Sequence, residues 1–317
     1  MCQHCHDEQS PLRRRALRLF GREAKDALHF YLALGEFSRW PIIGSLVKWG
    51  AEEYGRHCHG GRAATVEECL DVVDQARVIT AVDCACRKTF GNCANPINVC
   101  LTVNLAAEVF QEEKEKDPRQ LNPTEAADIL KEAQRKGLIL SITHCMAPHV
   151  YAICCCCTCC CVPWRLRHNY GINSAVNQGR FVASINSERC RQCLNCQRTC
   201  PASAIAKPPH PGNPRQEPGQ PQTQQPTGVP AVSEPSCMGC GLCRTHCPEQ
   251  AISMVPRQGF SAEALAIREH SSPIPFEPTP DHNSPSAGPL AYLALYGLIV
   301  PLALTYRFLS QFLKRSH

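Results

Sequence analysis

The sequence predicts an α+β protein in four parts: a helical N-terminal region, a small cysteine-rich α/β unit, a second unit built on two copies of one cysteine spacing, and a C-terminal transmembrane helix. Three observations carry that prediction. Capped helices alternate with short β-branched runs across residues 61–180. Cysteine is heavily used, 24 among 317 residues, and it gathers in short runs. Near the C-terminus, Ser284 to Tyr306 holds no charged residue.

Residues 1–60 are basic and then mixed apolar, with Trp40 and Trp49 among many helix formers. Arg13-Arg14-Arg15 is expected on a basic helix that rests on a membrane surface or a partner. Twin-arginine export is not expected, because Glu23, Lys25, Asp26 and His29 interrupt any apolar core of a signal. Cys2-Gln3-His4-Cys5-His6 has the spacing of a c-type haem attachment site. Attachment takes place outside the cytoplasm and no export sequence precedes the motif, so haem on Cys2, Cys5 and His6 is set aside. His57-Cys58-His59 reads as a polar turn before it reads as a metal site.

Within residues 61–180, Thr65 and Glu68 make a capping box that opens a helix to about Ala76. Val78 to Val82 follows as a strand. Asn122 caps a second helix with Pro123 at its first position, and Gly137 closes it. Leu138 to Ile142 is again a strand. A group of cysteines follows each strand, so pairing of the two strands would bring both groups to one pocket. The first group is Cys84, Cys86, Cys93 and Cys100. The second lies in Ile153-Cys154-Cys155-Cys156-Cys157-Thr158-Cys159-Cys160-Cys161. Successive side chains of an extended run face opposite sides, so this run divides its thiols between two sites. Together the groups suffice for two cubane clusters with thiols left over for an unusual, non-cubane one. A metallothionein-like zinc or copper site would need the same thiolates. Individual cysteines could instead pack as small hydrophobes, or the run could act as a thiol–disulfide relay.

Residues 181–256 carry the sharpest signal. Cys190, Cys193, Cys196 and Cys200 stand at C-x2-C-x2-C-x3-C ahead of Pro201, and Cys237, Cys240, Cys243 and Cys247 repeat it ahead of Pro248. Three thiolates spaced by two residues wrap one corner of a cubane. The fourth, before a proline that redirects the chain, reaches the other cluster. One 4Fe–4S cluster is thus expected on Cys190, Cys193, Cys196 and Cys247, and a second on Cys237, Cys240, Cys243 and Cys200. A double zinc site is the alternative use of these thiols. The runs resemble the two-cluster bacterial ferredoxin family, including Ala204-Ile205 and Ala251-Ile252 after each run, over about a quarter of the chain. That resemblance implies a bacterial ferredoxin-like domain. It departs from the family in an insertion, residues 207–235, rich in Pro and Gln and expected to be disordered. Loop closure weakens only slowly with length, so the ligands need not change.

The upstream cysteines carry a second resemblance. Cys84, Cys86 and Arg87 match the Cys-x-Cys-Arg element of a group of prokaryotic multicluster ferredoxin-like proteins. Cys154, Cys156, Cys157, Cys159, Cys160 and Cys161 match that group's Ile-Cys-x-Cys-Cys-x-Cys-Cys-Cys element, with Cys155 on a variable position. The resemblance implies one or two further iron–sulfur clusters, with Cys93 and Cys100 completing the thiols.

Residues 257–289 form a polar linker, 290–309 the transmembrane helix and 310–317 a basic tail. Twenty apolar residues span a bilayer core, with Tyr292 and Tyr306 near its interfaces and Arg307 snorkelling. A buried hairpin or an oligomer-facing helix is the alternative. Flanking charges would put the C-terminus in the cytoplasm and the cysteine units outside. Reduced thiols and the missing signal argue for cytoplasmic cysteine units, and that topology is adopted. Neighbours so close in sequence are poorly placed for disulfides with each other. The formal charge of +5 would fall to about −3 with four clusters of roughly −2 each, and Arg189, Arg191, Arg198 and Arg244 would partly compensate them. Nucleic acid is therefore not an expected partner, and no phosphate loop or dinucleotide fingerprint occurs. The expected function is a membrane-anchored protein that passes single electrons between redox partners, as a subunit of a larger complex. Alternatives are a catalytic or sensory upstream site fed by the ferredoxin, and metal storage.

Overall fold

The computed structural model describes residues 11–22, 24–57, 59–112, 117–145, 149–206 and 228–258. Its centre is a six-stranded antiparallel sheet made of β1 (His59–Ala63), β2 (Ile79–Asp83), β3 (Asn98–Val103), β4 (Arg119–Leu121), β5 (Ile139–Cys145) and β6 (Val150–Cys156), in the order β1-β5-β6-β3-β2-β4. Two helices on one face start at the expected capping boxes. Thr65 and Glu68 bond reciprocally at the start of α4 (Val66–Gln75), and Asn122 and Glu125 do so at α7 (Pro123–Arg135). Val72, Val73, Leu130 and Ala133 of these helices pack on Leu101, Leu140 and Ile153 of the sheet. On the other face α6 (Asn104–Gln111) lays Leu105, Val109 and Phe110 against Val82 and Ala152. Apolar contacts on both faces bury the middle strands deeply, and β3 and β6 carry Cys100, Cys154, Cys155 and Cys156 of the upstream thiols.

The two expected strands are present as β2 and β5, but they are not paired. Strands β6 and β3 lie between them. Short connections favour local hairpins, so β2 pairs with β3 and β5 with β6 before the sheet is completed. The cysteine groups still meet, because β3 pairs with β6 through Leu101 opposite Ile153.

Three helices fill the N-terminal region: α1 (Pro11–Arg22), α2 (Ala24–Phe37) and α3 (Gly44–His57). The basic helix does not present a free cationic face. Arg14 pairs with Glu108 at 2.9 Å and Arg18 with Glu112 at 2.7 Å, both on α6, while Leu17 is fully buried between them. The apolar stripe and the acidic residues of α6 hold α1 against the domain instead of leaving it for a membrane or partner. Strand β1 also crosses the expected border at residue 60 and joins the sheet. Two further helices flank the cysteines, α5 (Ala85–Phe90) and α8 (Val162–Tyr170), the latter packed on α2 through Leu28, Val162 and Leu166.

The last unit has two-fold character. Strand β7 (Phe181–Ile185) pairs with β10 (Ile252–Pro256), and β8 (Ile205–Ala206) with β9 (Ala231–Val232). A short helix begins after the second cysteine of each run and carries the third, α9 (Asn195–Thr199) with Cys196 and α10 (Leu242–Thr245) with Cys243. Strand β9 corrects the expected insertion. Residues 228–235 are part of the fold, because Val229 is buried and Ala231 and Val232 pair with β8. Cys2, Cys5 and His6, residues 207–227 and the segment 290–309 lie outside the described residues. Among the described residues no helix is long and apolar enough to cross a membrane.

Candidate metal centres

In the last unit the tight loops set the thiols. Gln192 and Leu194 hold φ +59°, and Gly239 and Gly241 hold φ +73°, so each run coils back on itself. At Gly239 a Cβ would come within 2.3 Å of the Phe181 carbonyl oxygen, which leaves room for glycine only. Cys200 Sγ accepts a hydrogen bond from the Ala204 amide and Cys247 Sγ from the Ala251 amide, each at 3.3 Å, and these contacts turn the fourth thiol of each run. The result is two small cavities with exchanged partners. Cys190, Cys193, Cys196 and Cys247 line one, and Cys237, Cys240, Cys243 and Cys200 line the other. The first is closer to solvent, whereas Cys237, Cys240 and Cys243 are all buried.

Charge around this unit is organised by pairs. Arg191 binds Glu249 at 2.9 Å, and Cys193 is held below its ordinary value by the Asn195 amide first and by Arg191 after it. Arg198 donates to the Cys193 carbonyl at 3.3 Å and Arg189 to the Glu249 carbonyl at 3.1 Å. Arg244 instead reaches out of the unit to Glu67 on α4 at 2.5 Å.

Upstream, the structure sorts the thiols into two sets. Along β6, Cys154 and Cys156 face one side, while Cys155 faces the core beside Cys69; Cys157, Cys159 and Cys160 lie in the turn that follows the strand. Cys84, Cys86, Cys161, Cys156, Cys154 and Cys100 form a ring along the wall of one cavity, each electrostatically coupled to the next. They come from the β2–α5 junction, β3, β6 and the start of α8. Cys84 is held well below its ordinary value by hydrogen bonds from Cys100 and Cys86. Cys156 is lowered to about 6 by Cys154 and Cys161.

The second set is Cys93, Cys157, Cys159 and Cys160. Cys93 Sγ lies 3.8 Å from Cys157 Sγ and 3.8 Å from Cys160 Sγ, Cys159 and Cys160 are also 3.8 Å apart, and no pair in the set exceeds 4.8 Å. Asn95 donates to Cys93 Sγ at 3.4 Å, and Asn92 to the Cys159 carbonyl at 2.9 Å. Burial raises the Cys93 thiol, but the Asn95 hydrogen bonds and those from Cys159 and Cys160 outweigh it and bring it to about 7.

Arg87 stands between the two sets. Only 2% exposed, it donates to the Cys155 carbonyl at 2.8 Å and lies 3.9 Å from Cys157 Sγ. Cys84 and Cys100 of the ring, with Cys157, raise its affinity for its proton against the cost of burial. A cavity of about 410 Å³ opens beside the ring, bounded opposite by Leu28 and Tyr31 of α2 and Leu46 and Trp49 of α3. His59, on the cavity wall, is lowered to about 4 by burial and is neutral, with Nε2 3.2 Å from the Tyr151 hydroxyl.

Two polar residues tie the sets together, and sequence reading missed both. Gln134, 2% exposed at the end of α7, donates to the Cys240 carbonyl at 3.0 Å and accepts from Thr245 at 2.9 Å. Ser141 of β5 lies opposite Cys154 and lines the cavity. Neither belongs to a motif, so only the assembled sheet reveals them. Cys240 then packs in one apolar cluster with Cys156 and Cys161 of the ring.

Comparison with protein families finds a match over residues 189–252 to a 4Fe-4S dicluster domain. Comparison with curated proteins returns no match. The matched stretch covers both cysteine runs, so the chain carries a 4Fe–4S ferredoxin-type domain.

Proposed function

We propose that the chain conducts single electrons along a line of iron–sulfur centres that joins the solvent-near site of Cys190, Cys193, Cys196 and Cys247, that of Cys200, Cys237, Cys240 and Cys243, and a further cluster on the upstream ring. The observation that carries this reading is continuity of packing. Cys196, Cys200, Cys237, Cys243 and Cys247 share one apolar cluster, and Cys240 shares the next with Cys156 and Cys161. Thiols packed in adjoining apolar clusters give the short separations that one-electron transfer needs. The chain would be a subunit of a larger redox complex, anchored by residues 290–309 with its clusters on the cytoplasmic side, and would exchange electrons with a protein partner.

A second reading is favoured by the cavity beside the ring. There the upstream site would act on, or sense, a small molecule, with the ferredoxin-type domain supplying electrons. Anaerobic reduction of the full chain in measured one-electron steps, followed by electron paramagnetic resonance, tests the relay. Upstream signals should change as the ferredoxin-type clusters fill. Upstream signals that stay unchanged with those clusters fully reduced would refute it.

A further inference from the structure

Six thiols around one cavity are two more than a cubane can take, since each of its four irons binds one cysteine. Cys84, Cys86, Cys100, Cys154, Cys156 and Cys161 all line this one cavity, so no pair stands aside as a spectator. The space beside the ring, about 410 Å³, is nearly three times the roughly 150 Å³ that accommodates benzene. Two metal ions bridged by thiolates would leave most of it unused.

Two buried polar groups face the same space. Ser141 is 1% exposed and lines the cavity, and its hydroxyl has no hydrogen-bond partner among the described residues. Arg87 lines it too, and its Nε and Nη2 atoms likewise lack partners, although Nη1 is engaged. Buried donors left unpaired are costly, so these positions call for acceptors. Inorganic sulfides are such acceptors; thiolates already spent on a metal at the ring's edge are poorer ones.

We propose that Cys84, Cys86, Cys100, Cys154, Cys156 and Cys161 together hold one polynuclear iron–sulfur cluster of non-cubane form, whose sulfides accept hydrogen bonds from Arg87 and Ser141. This rests on the reading of the upstream thiols as iron–sulfur ligands, and not on the direction or the fact of electron relay. The cluster differs from the ferredoxin-type pair in two respects. More than four protein thiolates hold it, and one side looks onto the cavity wall of α2 and α3, where a small molecule could approach.

The test uses the full chain, prepared anaerobically from cells grown on iron-57, with iron, zinc and sulfide counts and Mössbauer spectra. The unmodified chain should show a component distinct from the cubane component of the ferredoxin-type domain. Each of the six Cys→Ser variants should lose or alter that one component and leave the cubane component intact, which also reports that the chain has folded. Cys155→Ala, one residue away on the opposite face, should change neither. Arg87→Lys should shift the distinct component without removing it. Full iron and an unaltered spectrum in two of the six variants would overturn the proposal, because a cubane needs only four thiolates. So would an unmodified chain with only cubane signals, or with zinc and no sulfide beyond the ferredoxin-type domain. Failure of the relay would appear separately, as a distinct component that is present but never takes an electron.

Discussion

The tetrad beside the ring has dimensions that decide its nuclearity. Three of its six edges are 3.8 Å and none is longer than 4.8 Å. The centre of a regular tetrahedron with 3.8 Å edges is about 2.3 Å from each corner, which is the length of a zinc–thiolate bond. A cubane binds its four thiolates through four separate irons, with its own sulfides between them, so its thiolates must stand farther apart. Among the described residues, neither set of four in the ferredoxin-type unit is drawn together this closely. Cys93, Cys157, Cys159 and Cys160 are thus built for one tetrahedral ion, and four thiolates favour zinc over ferrous iron. Cys159 is the exposed member, so Cys159→Ser disturbs packing least. The unmodified chain should carry close to one zinc. The variant should carry close to none, with iron and acid-labile sulfide unchanged, measured by elemental analysis on anaerobically purified protein. Structural zinc binding is folding free energy, so the variant should also melt at a lower temperature. Loss of about four irons and four sulfides in Cys159→Ser would refute the reasoning and restore a cubane to this site.

Other perturbations test other joints. Gln134→Ala strands the buried Cys240 carbonyl at a cost of about 1–3 kcal/mol, while the exposed Thr245 hydroxyl keeps the Gly241 carbonyl, so heating at a fixed scan rate should release iron at a lower temperature than in the unmodified chain. Replacing residues 208–227 with a short Gly/Ser loop should leave the electron paramagnetic resonance spectrum of the ferredoxin-type domain unchanged, whereas carrying the replacement through residue 235 should damage it, because Pro230 lines the first cavity and β9 pairs with β8. A chain ending at Pro285 should be soluble without detergent and retain its iron, while the full chain should resist carbonate extraction from membranes; extraction of the full chain by carbonate would end the spanning proposal.

Much of this was legible in the sequence wherever the determinant is local. The capping boxes at Thr65 and Asn122 fix where α4 and α7 begin, since both partners lie within four residues. Cys154 and Cys156 part from Cys155 because alternation along β6 is a property of the backbone itself, whereas the set of Cys157, Cys159 and Cys160 depends on the turn that follows β6. Strand order was not legible. Val78–Val82 and Leu138–Ile142 are alike in composition, and nothing in either says that a hairpin partner will come between them. The role of α1 was hidden for the same reason, because Arg14 and Arg18 find Glu108 and Glu112 more than ninety residues away. Ser141 is one serine in an ordinary strand until Cys154 is placed opposite it.

The order in which the ferredoxin-type centres take electrons also follows from where the fold puts them. Adding an electron adds a negative charge, and that charge is better tolerated where water and cations can respond to it. Cys190, Cys193 and Cys247 are only partly buried, with Arg191 and Arg198 beside the loop, although Glu249 offsets part of that positive charge. Cys237, Cys240 and Cys243 are buried, and the one arginine of their run is turned away to Glu67. The first site should therefore have the higher potential and reduce first, so electrons run downhill from the ring side toward the solvent side. Arg191→Ala should lower the potential of the first site and narrow the gap, while Arg244→Ala should move neither potential much. A redox titration of the full chain, with the clusters told apart through Cys193→Ala and Cys240→Ala variants, checks the order. Reduction of the buried site first would show that hydrogen bonds to its sulfurs, and not burial, set the potentials here.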